Sequence, residues 1–144
     1  MLVEDEPNDV VLVKLEFTKA PFPIRIHTAS DGGEAIDYIE GRGEFSNRKE
    51  YPLPDVILLD LKMPRVSGFE FLKWLRNDSP KPCHVIPVVI MSSSSLEEDV
   101  DRAYDLGANS YLVKPVDWAQ FKERIKALGI YWAWHSQTPH TPHS

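Results

Sequence analysis

A single cysteine, Cys83, leaves no partner for an intramolecular disulfide and no thiolate set for a cysteine-based zinc site. Basic residues are also in deficit. Lys and Arg number 16 against 22 Asp and Glu, giving a net charge of −6 and a pI near 5.3. That balance argues against nucleic acid or an anionic membrane as a partner, since both select cationic surfaces. No apolar run approaches the ~20 residues of a membrane span, and no apolar leader precedes the first acidic residues. His27, His84, His135, His140 and His143 are scattered without metal-ligand spacing. With 42% hydrophobic and 26% charged residues, the 144-residue chain reads as one globular domain, expected in the cytoplasm.

Strand-like and helix-like patterns alternate throughout. Met1–Val3 reads as a strand, short for a central one, either clipped or preceded by further residues. Helical spacing follows from Asn8 to Lys19, then a half-buried strand over Ile24–Ala29. Asp31-Gly32-Gly33 opens a helix that runs to Gly41. Gly41–Pro54 has no period and is expected to be an exposed loop. Val56–Asp60 is a strand, Ser67–Arg76 a helix, Asn77–Cys83 a turn and Val85–Met91 a strand. Leu96–Leu106 is a helix capped by Gly107, Ser110–Lys114 a strand, and Trp118–Leu128 the last helix. Five strands alternating with five helices predict an α/β fold: a doubly wound parallel sheet covered on both faces.

Val56-Ile57-Leu58-Leu59-Asp60 carries the main chemical signal. Four aliphatics in a row mark a strand buried on both faces, and a carboxylate stands at its end. In an open α/β sheet, ligands bind at the carboxyl ends of the strands. That edge would gather Glu4 and Asp5 after the first strand, Asp60 after the third, Ser92 after the fourth and Lys114 after the fifth. Three adjacent carboxylates repel one another unless a cation lies between them, and Mg²⁺ takes such oxygen ligands. A metal and Lys114 could together neutralise a phosphoryl group on Asp60, with a hydrogen bond from Ser92. Asp60 alone could merely cap a turn, and Glu6 reads as a first-turn acid of the next helix.

The motifs Val3-Glu4-Asp5-Glu6, Leu59-Asp60-Leu61-Lys62-Met63-Pro64, Gly68, Met91-Ser92 and Tyr111-Leu112-Val113-Lys114-Pro115 resemble, in order and spacing, the receiver domain of two-component response regulators. The resemblance runs from Leu2 to about Leu128. It implies the flavodoxin-like strand order 2-1-3-4-5. It implies Asp60 as the phosphoacceptor of a sensor histidine kinase. Asp5, Asp60 and the Lys62 backbone carbonyl would hold Mg²⁺ (Mn²⁺ can substitute), with Glu4 acting through water. Lys114 would hold a phosphoryl oxygen, next to a cis Lys114–Pro115 bond. Ser92 and Tyr111 would be the switch pair, and Lys62 and Ser94 would tune dephosphorylation.

The residues after Lys114 are too few for an effector domain. The expected layout is a stand-alone receiver over 1–128, followed by an aromatic extension and frayed tail over 129–144. Loop length and the Tyr131-Trp132 pair resemble the small regulators paired with bacterial phytochromes. Trp118, Phe121, Tyr131, Trp132 and Trp134 then suggest a homodimer surface, unless the rings complete the monomer core. A haloacid-dehalogenase-type phosphatase also uses Mg²⁺ and an aspartyl phosphate. It needs a second aspartate two residues after the nucleophile, where this chain has Lys62.

Overall fold

The computed structural model describes residues 1–20 and 23–132. Its strands are β1 (Leu2–Val3), β2 (Thr28–Ala29), β3 (Ile57–Leu59), β4 (Val88–Ser92) and β5 (Ser110–Val113). The helices are α1 (Pro7–Thr18), α2 (Gly32–Glu40), α3 (Gly68–Asn77), α4 (Glu97–Asp105) and α5 (Trp118–Ile130). All five strands pair in parallel, in the order β2-β1-β3-β4-β5, as expected. Parallel neighbours need crossover helices, and these cover both faces of the sheet. Every residue of β3 and β4 is accordingly buried.

Alternation along the strands separates two apolar layers. Val3, Leu59 and Ile90 face Ile39, Phe71, Leu72 and Leu75 of α2 and α3. Leu2, Leu58, Val89 and Met91 face Val13 and Phe17 of α1 and Phe121, Ile125 and Leu128 of α5. Ser67 and Glu70 form a reciprocal capping box at the start of α3. Gly107, at φ 105°, ends the α4 turn in a conformation that other residues rarely adopt.

Several elements depart from the expected boundaries. β2 shrinks to Thr28–Ala29, although Ile24 and Ile26 still pack on the α1/α5 layer. β4 starts at Val88 because Cys83–Val85 forms a 3₁₀ turn and Pro87 has no N–H for a ladder. α5 continues two residues past Leu128, and Trp132 packs on the same layer as Leu128.

The segment 41–54 is not a plain exposed loop. Phe45 and Leu53 are buried, and Tyr38, Phe45 and Tyr51 stack with ring centroids 5.1–6.0 Å apart. Arg48 donates to the carbonyls of Tyr38, Ile39 and Tyr51, satisfying the end of α2 with a side chain. The expected cis Lys114–Pro115 bond is also corrected: among the described residues the cis bond is Lys81–Pro82. Either isomer of an X–Pro bond costs little, about 0.5–1 kcal/mol, so local packing decides.

Gly68 fixes how α3 meets the sheet. A Cβ there would collide with the Asp60 carbonyl oxygen and lie 2.7 Å from the Leu61 Cα, both backbone atoms that cannot swing aside. Gly68→Ala is therefore expected to destabilise the fold by roughly 2 kcal/mol, as overpacking does. The check is a lowered urea midpoint with an unchanged slope.

Candidate functional site

The parallel registers Val3↔Leu59, Leu59↔Ile90 and Ser92↔Val113 bring four strand ends to one edge. The backbone continues this order one residue further. Asp60 N–H donates to the Val3 carbonyl at 3.0 Å, and Lys114 N–H donates to the Ser92 carbonyl at 2.7 Å. Residues immediately after the strands are thereby held side by side. Ligand oxygens of Glu4, Asp5 and Asp60 all lie within 4.8 Å of one another. Glu4 is 3% exposed and Asp60 9%, whereas Asp5 is exposed.

Charge at this edge is unbalanced toward negative. Lys114 Nζ donates to Glu4 Oε1 and, at 2.9 Å, to Asp9 Oδ2 on the first turn of α1. Burial pushes the Glu4 carboxyl up to about 9, and neighbouring Asp60 adds to this against the pull of Lys114. Burial also works against the Lys114 ammonium, but the bonds to Asp9 and Glu4 and the charge of Asp60 outweigh it and raise its pKa. The other oxygen of the Glu4 carboxyl, Oε2, is buried without a hydrogen-bond partner. A buried carboxylate oxygen left unsatisfied beside two more carboxylates fits a hard divalent cation, which takes oxygen ligands.

Ser92, the last residue of β4, is 1% exposed, and its Oγ accepts the Ser94 N–H at 3.1 Å. Tyr111 OH donates to the Ser94 carbonyl at 2.8 Å, so the expected switch pair is joined through one residue. Ser94 itself, expected to tune dephosphorylation, spends its hydroxyl elsewhere: it donates to Asp99 Oδ2 at 2.5 Å and accepts from Leu96 N–H. Lys62 lies in the β3–α3 connection with its side chain exposed.

That connection is tied down by Arg65, whose guanidinium pairs with the buried carboxylate of Asp31, and by Gly32 N–H donating to the Val66 carbonyl. Glu6, read from the sequence as a first-turn acid, instead precedes α1 as its N-cap, its side chain accepting the Asn8 N–H. Asp9 and Asp99 were not singled out by sequence, and Asp31 was read only as the opening of α2, which it caps. An acid in the first turn of a helix gives no sign that its partner stands 105 residues away. A cavity of about 650 Å³ lined by Met1, Ile26, His27, Tyr38, Val56 and Trp132 lies at the opposite, amino-terminal edge, remote from these charges.

The sequence model described as "Response regulator receiver domain" matches residues 1–126. The chain belongs to the response regulator receiver family. A curated relative of the receiver, the probable methanogenesis regulatory protein FilR2 of Methanothrix harundinacea, is 33% identical over 142 residues, 96% of this chain and 86% of its own. Among solved structures, the phosphorylated cyanobacterial phytochrome response regulator RcpA superposes with a TM-score of 0.89 at 33% identity, covering 96% of both chains. The Mn²⁺-bound form of Rcp1 superposes at 0.87 with 28% identity, again over 96% of both chains. Rcp1 of Synechocystis is 30% identical over 132 residues, 92% of this receiver and 86% of its own length.

The elevated Glu4 carboxyl has a pH consequence for the metal-free receiver. Folding favours the protonated form, so the stabilisation is full below the ordinary value of 4.5 and drains away as pH rises toward about 9. In chelator, wild type is expected to lose stability between pH 5 and pH 8 relative to Glu4→Gln, which does not titrate there. Urea midpoints of the two proteins at both pH values provide the check.

Proposed function

We propose that this receiver accepts a phosphoryl group on Asp60 from the phosphohistidine of a sensor histidine kinase and passes the signal through a protein surface. The observation that carries this is the placement of Asp60 at the end of the buried β3 strand, within 4.8 Å of the Glu4 and Asp5 oxygens. An Asp60 carboxylate oxygen attacks phosphorus, the phosphorus–nitrogen bond breaks, and its electron pair returns to the imidazole. Glu4, Asp5 and Asp60 would hold Mg²⁺, or Mn²⁺ in its place, with the Lys62 carbonyl as a further ligand. The cation supplies charge neutralisation for carboxylates and phosphoryl oxygens alike. Lys114 meets one phosphoryl oxygen, and the Ser92 hydroxyl meets another after leaving Ser94 N–H. The protein then works as a switch rather than as a catalyst of turnover.

The resemblance to RcpA, described as a cyanobacterial phytochrome response regulator, supports a phytochrome-type kinase as the donor. Coverage of 86% to 96% of these relatives supports a stand-alone receiver, with 1–128 as the domain and 129–144 as its extension. No described helix is long and apolar enough to cross a membrane, which accords with a cytoplasmic place beside the kinase domain. Asp60→Asn is expected to abolish Mg²⁺-dependent labelling by acetyl phosphate while the fold persists by circular dichroism. Undiminished labelling of that variant would overturn the assignment.

The outgoing surface is a homodimer interface on α5 and the aromatic residues that follow it, with exposed neighbours from the segments before α4 and α5. Leu96, Trp118 and Tyr131 are each about half exposed, and Val116 is fully so. Trp132 instead packs inward against the α1/α5 layer, and Trp134 lies outside the described residues. Exposed aromatics favour contact hot spots, and closed twofold pairing is the commonest use of one patch. Sedimentation equilibrium is expected to give twice the chain mass for wild type and a monomer for the Trp118→Ala/Tyr131→Ala pair. A monomeric wild type would end this reading.

A further inference from the structure

Asp9 stands outside every role assigned above, yet it makes a direct bond to the site's cation. Its Oδ2 lies 2.9 Å from Lys114 Nζ, and the lysine side chain is only 13% exposed. Lysine offers three donors on a flexible stem, and here two of them go to Glu4 and Asp9. No hydrogen bond joins Lys114 to Asp60, although the charge of Asp60 acts on it. The ammonium is thus parked between β1 and α1, short of the phosphoacceptor. We propose that Asp9 is a positioning residue that holds Lys114 in this resting place and competes with a phosphoryl group on Asp60 for the ammonium. The proposal rests on the phosphoacceptor reading above.

The competition is asymmetric between the two acids. Glu4 belongs to the carboxylate cluster that suits a divalent cation, so a bound cation draws its charge away from Lys114. Asp9 is not among those clustered oxygens and keeps its grip. Releasing Lys114 to a phosphoryl oxygen then means breaking or stretching the Asp9 ion pair in particular. A carboxylate in the first turn of α1 could simply favour the helix dipole. That role would act on stability alone and would not depend on what stands at position 114.

Beryllofluoride with saturating Mg²⁺, a stable mimic of the aspartyl phosphoryl group, provides the readout on the full chain. Asp9→Asn is expected to tighten beryllofluoride binding about two- to fivefold, the range set by a partly exposed ion pair. Asp9→Glu should return affinity toward wild type. In a Lys114→Gln background, Asp9→Asn should change nothing, because the competitor's prize is gone. Equal tightening in both backgrounds, or none in wild type, would overturn the role of Asp9 and leave the phosphoacceptor untouched. Failure of wild type to bind beryllofluoride at all would instead overturn the phosphoacceptor reading, and the role of Asp9 with it.

Discussion

The repulsion among carboxylates at one edge of the sheet is the constraint on which the rest depends. Parallel pairing makes β1 and β3 end together, and Glu4, Asp5 and Asp60 follow those ends with no freedom to separate. Two of the three are nearly buried, where like charges interact most strongly. Lys114, arriving from β5 on the far side of β4, is the chain's internal answer, and it is shared with a fourth acid, Asp9. One ammonium among four carboxylates leaves a deficit. The unsatisfied Glu4 Oε2 is where that deficit surfaces, and burial first, then neighbouring Asp60, raises the Glu4 carboxyl.

A short relay of hydrogen bonds connects this edge to the α4 surface. Ser92 Oγ is held by Ser94 N–H, the Ser94 carbonyl by Tyr111 OH, and the Ser94 hydroxyl by Asp99 in the first turn of α4. A new acceptor near Asp60 that drew the Ser92 hydroxyl would free Ser94 N–H. Ser94 is buried, so its freed group must find another partner or shift the loop. A rearrangement of that loop reaches Tyr111 and α4 without passing through the apolar core. Polar links of this kind can exchange partners at less cost than close-packed side chains can repack.

Much of this was legible in the sequence because the fold's strongest constraints are local patterns. The aliphatic run ending in Asp60 located β3 and the edge where the carboxylates gather, and strand–helix alternation gave the doubly wound sheet. The losses have specific causes. The 41–54 segment lacks a period because Phe45, Arg48, Tyr51 and Leu53 pack one by one against α2, so no face repeats. β2 was overestimated because Ile24 and Ile26 alternate like strand residues, though the ladder itself holds only Thr28 and Ala29. Asp31 with Arg65, and Asp9 with Lys114, join residues remote in sequence, and no spacing rule reports such pairs.

The two edges of the sheet are stabilised in opposite ways, and the difference bears on function. At the amino-terminal edge, Arg76 alone donates to the carbonyls of His84, Ile86 and Gly107 and to Asn109 Oδ1, fastening the α3–β4 and α4–β5 connections with neutral acceptors. Arg48 does the same for the end of α2. Those bonds involve no second charge, so nothing that binds at the other edge competes for them. At the carboxyl edge, ion pairs of Lys114 with Glu4 and Asp9, and of Arg65 with Asp31, join the hydrogen bonds of the Ser92–Ser94 segment, and the Lys114 pairs sit where a cation or a phosphoryl group would change them. Charge arriving at the upper edge would therefore act on the Lys114 pairs and leave the Arg76 and Arg48 bonds at the base as they are.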